Sequence, residues 1–162
     1  MITSPILRSE MRPDATWIWI DCGDWMSVAQ QLYDAGFTRC EWLKGVHLGG
    51  EQFEILLSVT KPDLSESYVV GTKIDQSIAS IAGIYPSTDF HERECAQLLG
   101  VMFSNRLNDD PAFETTFDGF PLRRDFVLTE RLATPWPGQV DPEKAARRRP
   151  TPPPGVNQEW SL

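Results

Sequence analysis

From Thr16 to Ile20 the chain reads Thr-Trp-Ile-Trp-Ile, a run of β-branched and aromatic side chains that suits a strand. Asp24 is then placed to cap a helix. Trp25, Val28, Ala29, Leu32 and Tyr33 recur at i, i+3, i+4, i+7 and i+8, which is one apolar helical face, and Gly36 stands where such a helix would end. The next runs alternate instead. Phe37–His47 predicts a strand, Gly49-Gly50 a turn, and Phe53, Ile55, Leu57 and Val59 share one face of the returning strand, so the pair reads as a β-hairpin. Beyond a polar loop opened by Pro62-Asp63, Tyr68–Ile74 predicts a third strand of the same sheet. Ile78, Ile81 and Ala82 predict a short helix that stops before Pro86. Asp89 and Glu92 have the separation of a capping box, and Cys95, Leu98, Leu99 and Met102 have helical spacing. A helix over Phe90–Leu99, closed by Gly100 as a left-handed cap, follows.

Strands first and helices later, with a hairpin among them, define an α+β fold: a mixed or antiparallel sheet with helices packed on one face. From Pro135 the pattern stops. Pro137, Pro142, Pro150, Pro152, Pro153 and Pro154 interrupt any periodicity, and Arg147-Arg148-Arg149 adds a basic run. The expected organisation is an α+β domain over residues 1–134 and an extended Pro/Arg-rich tail over 135–162, unable to build a core of its own.

Composition narrows the function. A chain of 162 residues, 41% hydrophobic, is the size of one domain with a real core. Residues 1–120 hold 8 of the 15 basic side chains but 18 of the 23 acidic ones. An acidic body argues against a nucleic-acid partner, because phosphate contacts need clustered Lys and Arg. Cys22, Cys40 and Cys95 are odd in number, widely spaced and without a C-x-x-C pair, so they read as reduced core thiols; only His47 and His91 could add imidazole ligands. No run approaches the roughly 20 apolar residues of a membrane span, and the N-terminus lacks the basic-then-apolar pattern of a signal peptide. The expectation is a soluble chain facing the cytoplasm, with no direct membrane span.

Two clusters carry candidate chemistry. His91-Glu92-Arg93-Glu94 places two carboxylates and a guanidinium at the start of a helix, where acids favour the macrodipole and Arg93 can pair with a nearby acid. A small acid/base enzyme using Glu92 and Glu94 is the catalytic alternative; it requires both carboxyls in one pocket with raised pKa values. The second cluster, Gly119-Phe120-Pro121-Leu122-Arg123-Arg124-Asp125-Phe126, has the form of a turn and an extended arm in which the paired arginines suit bidentate contact with carboxylates. Dinucleotide, phosphate-loop, cluster-ligating and nucleophile-elbow motifs are absent from the sequence. A third reading is an adaptor whose Pro-rich tail docks in an aromatic groove.

Taken together and in this order, Phe90-His91-Glu92-Arg93-Glu94, Gly100-Val101-Met102-Phe103 and the arm from Gly119 to Phe126 resemble the family of C subunits of respiratory complex I and its hydrogenase relatives. The likeness is densest over residues 90–126. It implies a non-catalytic structural and assembly subunit of a membrane-associated NADH–quinone oxidoreductase, supporting electron transfer from NADH to quinone. The implied partners are the quinone-pocket subunit, which resembles the large subunit of nickel–iron hydrogenases, and the iron–sulfur subunits of the hydrophilic arm. NADH, FMN, quinone and the iron–sulfur clusters would sit in those partners and none on this chain, which would lie peripherally on the cytoplasmic side of the cell membrane. The implied interface residues are Glu92, Arg93, Glu94, Gly100, Gly119, Pro121, Leu122, Arg123, Arg124 and Asp125. The chain departs from the family pattern at Gln97, Leu99, Ser104-Asn105-Arg106, Arg124 and Val127. The equivalent subunit of a membrane-bound hydrogenase or formate-hydrogenlyase-type complex is therefore the alternative.

Overall fold

The alternating apolar runs all enter one sheet. A computed structural model describes residues 2–106, 108–114 and 119–127. Its main sheet comprises β1 (Ile6–Met11), β2 (Thr16–Ile20), β3 (Arg39–Gly49), β4 (Gln52–Thr60) and β5 (Ser67–Ile74), in the order β1-β2-β5-β4-β3. β2 and β5 run parallel; the other neighbours are antiparallel. The register aligns Leu43 with Leu57, Leu57 with Val70, and Val70 with Ile18. That row crosses four strands on one face, and each member is at most 2% exposed. Burying such a side chain stabilises the fold by about 1.5–3 kcal/mol.

Helix α1 (Trp25–Asp34) covers this face with Trp25, Val28, Ala29 and Leu32, four of the five residues of the predicted stripe; Tyr33, the fifth, is exposed at the margin with its ring edge-on to Tyr85. Its start differs in detail. Asp24 is the N-cap residue, as expected, but makes no side-chain cap bond; a 3-10 turn over Cys22–Asp24 precedes the helix and is itself capped by Asp21, which accepts from the Gly23 N–H at 2.9 Å. Helix α2 (Thr88–Leu99) delivers Cys95 and Leu99 to the same core, so both helices lie on one face of a mixed sheet, as expected. Gly100 closes α2 at φ 76°, in the left-handed region.

Residues 77–85 correct the sequence reading. Instead of a helix through Ile78, Ile81 and Ala82, Ser77–Ala79 forms β6, which pairs parallel with β7 (Met102–Ser104). The Ser80 N–H donates to the Ser104 carbonyl, Ile81 N–H to the Glu92 carboxylate, and the Tyr85 hydroxyl to the Phe37 carbonyl at 2.8 Å. A helix does not start here because long-range acceptors take the Ser80 and Ile81 N–H groups, and only a single turn closed on the Ile81 carbonyl follows, while Ile78, Ile81, Ala82 and Tyr85 are still buried. Nor does the apolar pattern predict β1: it is charged and largely exposed, and only pairing to β2 makes it a strand. The Pro/Arg-rich tail and the domain boundary expected at residue 134 lie outside the described residues.

Candidate functional site

The two sequence clusters occupy opposite ends of α2. At its start, Glu92 points inward and is 0% exposed. Its Oε1 accepts from the Ile81 N–H at 2.9 Å and from the Thr88 hydroxyl at 3.3 Å, while Oε2 has no hydrogen-bond partner among the described residues. Burial raises the carboxyl above its ordinary range against the opposing pull of the Ser80 hydroxyl, the Ile81 N–H and the Thr88 hydroxyl, and the nearby Asp89 carboxylate pushes it up as burial does. This is not a capping box: Ser87 is the N-cap residue, without a side-chain cap bond, and the glutamate fastens the preceding loop instead of its own helix end. Arg93 fulfils the electrostatic expectation by pairing with Asp89 at 3.1 Å, and its guanidinium lies over Phe90.

At the far end of α2 the arm returns. The last carbonyls of a helix have no partner within it. Here Leu122 N–H donates to Leu98 O at 3.1 Å and Arg123 Nε to Leu99 O at 2.7 Å. The same guanidinium lies 4.4 Å from the Phe120 ring centroid and 5.2 Å from that of Phe53. Arg123 thus faces inward as a helix-end clasp, contrary to the expectation of two arginines offered to carboxylates. Gly100 makes the approach possible: a Cβ there would stand 2.6 Å from Phe120 Cζ and 2.7 Å from Arg123 Nη2. Gly119, at φ 91°, and Pro121 shape the turn that brings Phe120 and Arg123 onto the helix end.

His47, which the sequence offered only as a poor metal ligand, anchors the second half of the arm. It is 3% exposed; Nδ1 accepts the Arg124 N–H at 3.0 Å, and Nε2 lies 2.8 Å from the Gly50 carbonyl. An acceptor at Nδ1 requires the proton at Nε2, which donates to Gly50. Asp125 Oδ1 lies 3.8 Å from the same Nδ1 and is itself well exposed; with that nitrogen already accepting, the proximity is not an ion pair. The Arg124 and Asp125 side chains remain on the surface, as does Leu122 at 53% exposure. No isolated sequence signal marks His47, Phe53 or Tyr85 as arm and loop anchors, because each acts through one backbone group or ring far away in the chain.

The geometry separates the two candidate acid/base residues. Glu92 is sealed inside, whereas Glu94 lines an open groove of 510 Å³ between β3 and α2, with Trp42, His91 and Leu122. They share no pocket. Burial pushes the Cys95 thiol up to about 12 and the Cys40 thiol to about 11, so neither is a ready nucleophile near neutral pH. Among the described residues no group of three or more His, Cys, Asp and Glu side chains is placed to hold a metal ion, and no helix is long and apolar enough to cross a membrane.

A one-sided α+β sandwich whose arm folds back to close its last helix is the class that fold and site define. The same fold occurs in a chain of the membrane-bound sulfane sulfur reductase, an archaeal respiratory membrane complex, with a TM-score of 0.66 at 18% identity over 76% of this chain and 79% of that one. The chain belongs to the family described as "Respiratory-chain NADH dehydrogenase, 30 Kd subunit", whose match covers residues 18–132. Among curated relatives, the C subunit of the NADH-quinone oxidoreductase of Mesorhizobium japonicum is 30% identical over 105 residues, 56% of this chain and 50% of that protein. Its counterpart in Rhodopseudomonas palustris is 35% identical over 86 residues, 49% of this chain and 40% of the relative. The chain thus spans about half the length, or less, of these relatives.

Proposed function

We propose that this chain is a non-catalytic scaffold subunit of a membrane-associated NADH–quinone oxidoreductase. In this reading it packs on the quinone-pocket subunit, the one resembling a nickel–iron hydrogenase large subunit, beside the iron–sulfur subunits, and lies peripherally on the cytoplasmic side of the membrane. NADH, FMN, quinone and the clusters belong to those partners. The observation that carries the reading is what the arm does to the surface. By committing Arg123 and two backbone N–H groups to α2 and His47, it fixes a ridge on which Phe120 and Leu122 stay exposed at 36% and 53%, near Met102 at 58%. Exposed apolar side chains held by rigid polar contacts are what a permanent partner covers. Gly100, Gly119, Pro121 and Arg123 build that ridge, Glu92 and Arg93 fasten the other end of α2, and Glu94, Leu122, Arg124 and Asp125 are the members left to touch a partner.

The test is purification of the tagged protein from its own membranes, with mass spectrometry of what accompanies it. Recovery of a hydrogenase-large-subunit-like protein with iron–sulfur proteins is the expected result. Companions that include an NADH-oxidising module place it in the quinone reductase, whereas hydrogenase companions place it in the related complex suggested by the departures at Gln97 and Ser104-Asn105-Arg106. Recovery of the chain alone would falsify the scaffold reading.

A further inference from the structure

His47 holds the second half of the arm with a nitrogen that cannot accept once the ring is charged. Nε2–H donates to the Gly50 carbonyl at 2.8 Å, and Nδ1 accepts the Arg124 N–H at 3.0 Å. A neutral imidazole has one donor and one acceptor, so both roles are filled; a protonated one has two donors and no acceptor. A second proton therefore leaves the Gly50 bond intact and sets Nδ1–H against the Arg124 N–H. Two donors cannot share the line that one bond occupied. An acceptor for the new proton stands close by: Asp125 Oδ1 lies 3.8 Å from the same Nδ1, on a side chain that is 70% exposed and has no other ion pair among the described residues.

The surroundings confine the change to that one nitrogen. β4 sets Phe53 opposite His47 in register, with the ring centroids 5.1 Å apart, and it is on Phe53 that the Arg123 guanidinium lies. Glu51, next to Gly50 in the turn after β3, is exposed, as is the Arg124 side chain. His91 and Glu94 of α2 line the groove they share with Lys44, which His47 does not line. Among the described residues, the charged groups facing the ring are thus the Arg123 guanidinium across Phe53 and the Asp125 carboxylate beside Nδ1. The first half of the arm has attachments of its own, Leu122 N–H on Leu98 O and Arg123 Nε on Leu99 O, and neither depends on the charge of His47. Beyond Arg124 the arm has a turn bond, from Phe126 N–H to Arg123 O, which travels with it.

We propose that His47 is a proton-operated clasp. Neutral, it holds the arm by the Arg124 N–H; charged, it releases that N–H and takes the Asp125 carboxylate instead, which draws Asp125 off the surface and frees the backbone from Arg124 onward. The ring stays on Gly50 in both states, so switching needs a local shift of the arm and no unfolding. The clasp on the backbone is closed at higher pH and opens as pH falls. In the scaffold reading Arg124 and Asp125 are both left to touch a partner, so acid alters the charge offered there. That consequence rests on the scaffold reading, whereas the clasp belongs to the chain alone and is tested without a partner.

Nitrogen–proton correlation NMR of the full chain from about pH 8 to about pH 5, the range in which histidine changes charge, reads the His47 ring nitrogens and the exchange of the Arg124 amide together. The expected result is the Nε2–H tautomer at the upper end. Arg124 protection, corrected for intrinsic exchange, should then fall at least about tenfold, the loss of roughly one net hydrogen bond, with the midpoint of the ring titration, while the Leu122 amide stays protected. Asp125→Asn should move that midpoint to lower pH, since a carboxylate favours the charged ring. His47→Asn, whose side-chain oxygen can stand in for Nδ1 as acceptor but takes no proton, should keep Arg124 protection level across the range. Circular dichroism identifies loss of folding, and Asp125→Asn keeps the question decidable if His47→Asn unfolds. Arg124 protection that is unchanged through the ring titration overturns the proposal, as does a ring that stays neutral down to about pH 5. So does a loss that persists in folded His47→Asn, which would put the proton on another group, and so does a midpoint indifferent to Asp125→Asn, which would refute the exchange of partners.

Discussion

The row Leu43–Leu57–Val70–Ile18 under α1 and the knot at the ends of α2 are stabilised in different ways. The row is held by area: many close-packed apolar atoms, each contact weak by itself and large only in sum. The knot is held by a few polar contacts without substitutes, among them Glu92 on Ile81 N–H, Arg123 on the Leu99 carbonyl and His47 on Arg124 N–H. The first fixes how much stability the domain has. The second decides which surface it presents, because an unmade buried hydrogen bond costs about 1–3 kcal/mol and no alternative partner lies in wait.

The largest effect should come from the core. Leu57→Ala removes a side chain that is 0% exposed at the centre of the row, and should cost about 2–5 kcal/mol in urea unfolding, with α2 and the arm unchanged in the folded protein. A loss smaller than that of the next variant would reverse the assignment of stability to the row. Gly100→Ala should cost about 2 kcal/mol, since a side chain at φ 76° is strained by roughly 1–2 kcal/mol before it meets Phe120 and Arg123. Its distinctive mark is local: amide exchange should quicken at Leu122 and Arg123 while β4 and β5 stay protected. Uniform quickening would show that the arm and the sheet open as one unit.

The smallest effect is a slope. Glu92 is raised in the folded state, so its protonated form contributes stability fully below the ordinary carboxylate pKa of about 4.3, and that contribution is lost as pH rises through the elevated folded value. Glu92→Gln removes this titration and keeps an oxygen for Ile81. The stability of the wild type relative to the variant should therefore be greatest in acid and decline toward neutral pH, as measured by denaturant midpoints at a series of pH values. A relative stability that rises with pH would mean the carboxyl is held ionised.

The same division decides what can be read from the chain. α1 and the β3–β4 hairpin are legible because each repeats its signal, four apolar residues in helical phase in one case and four in alternate positions in the other. The segment around Ile78 and Ile81 misleads because its spacing fits a helix, while the donors that decide its shape are claimed by Glu92 and Ser104 from elsewhere. The spacing does single out Glu92, but as a helix cap; its inward turn depends on a loop that periodicity does not place. The pair Arg123 and Arg124 looks uniform in sequence. Which one faces in depends on the position of a carbonyl at the end of α2, and this is tertiary information.

The parallel pairing of β2 with β5 has a consequence for synthesis. Thr16 lies beside Tyr68 and Ile20 beside Thr72, so the first half of the sheet waits for residues made about fifty positions later. As the chain leaves the ribosome, β1, β2 and α1 are complete as segments while the apolar faces of Ile18, Ile20 and Trp25 still lack their cover. The β3–β4 hairpin can close by itself in that interval, because its partners are adjacent in sequence. The core can shut only once β5 stands between the two halves and α2 has brought Cys95 and Leu99 to it. The ridge proposed to meet the partner is built from the last described residues to be made, so the surface it presents cannot be complete until the rest of the described domain has been synthesised.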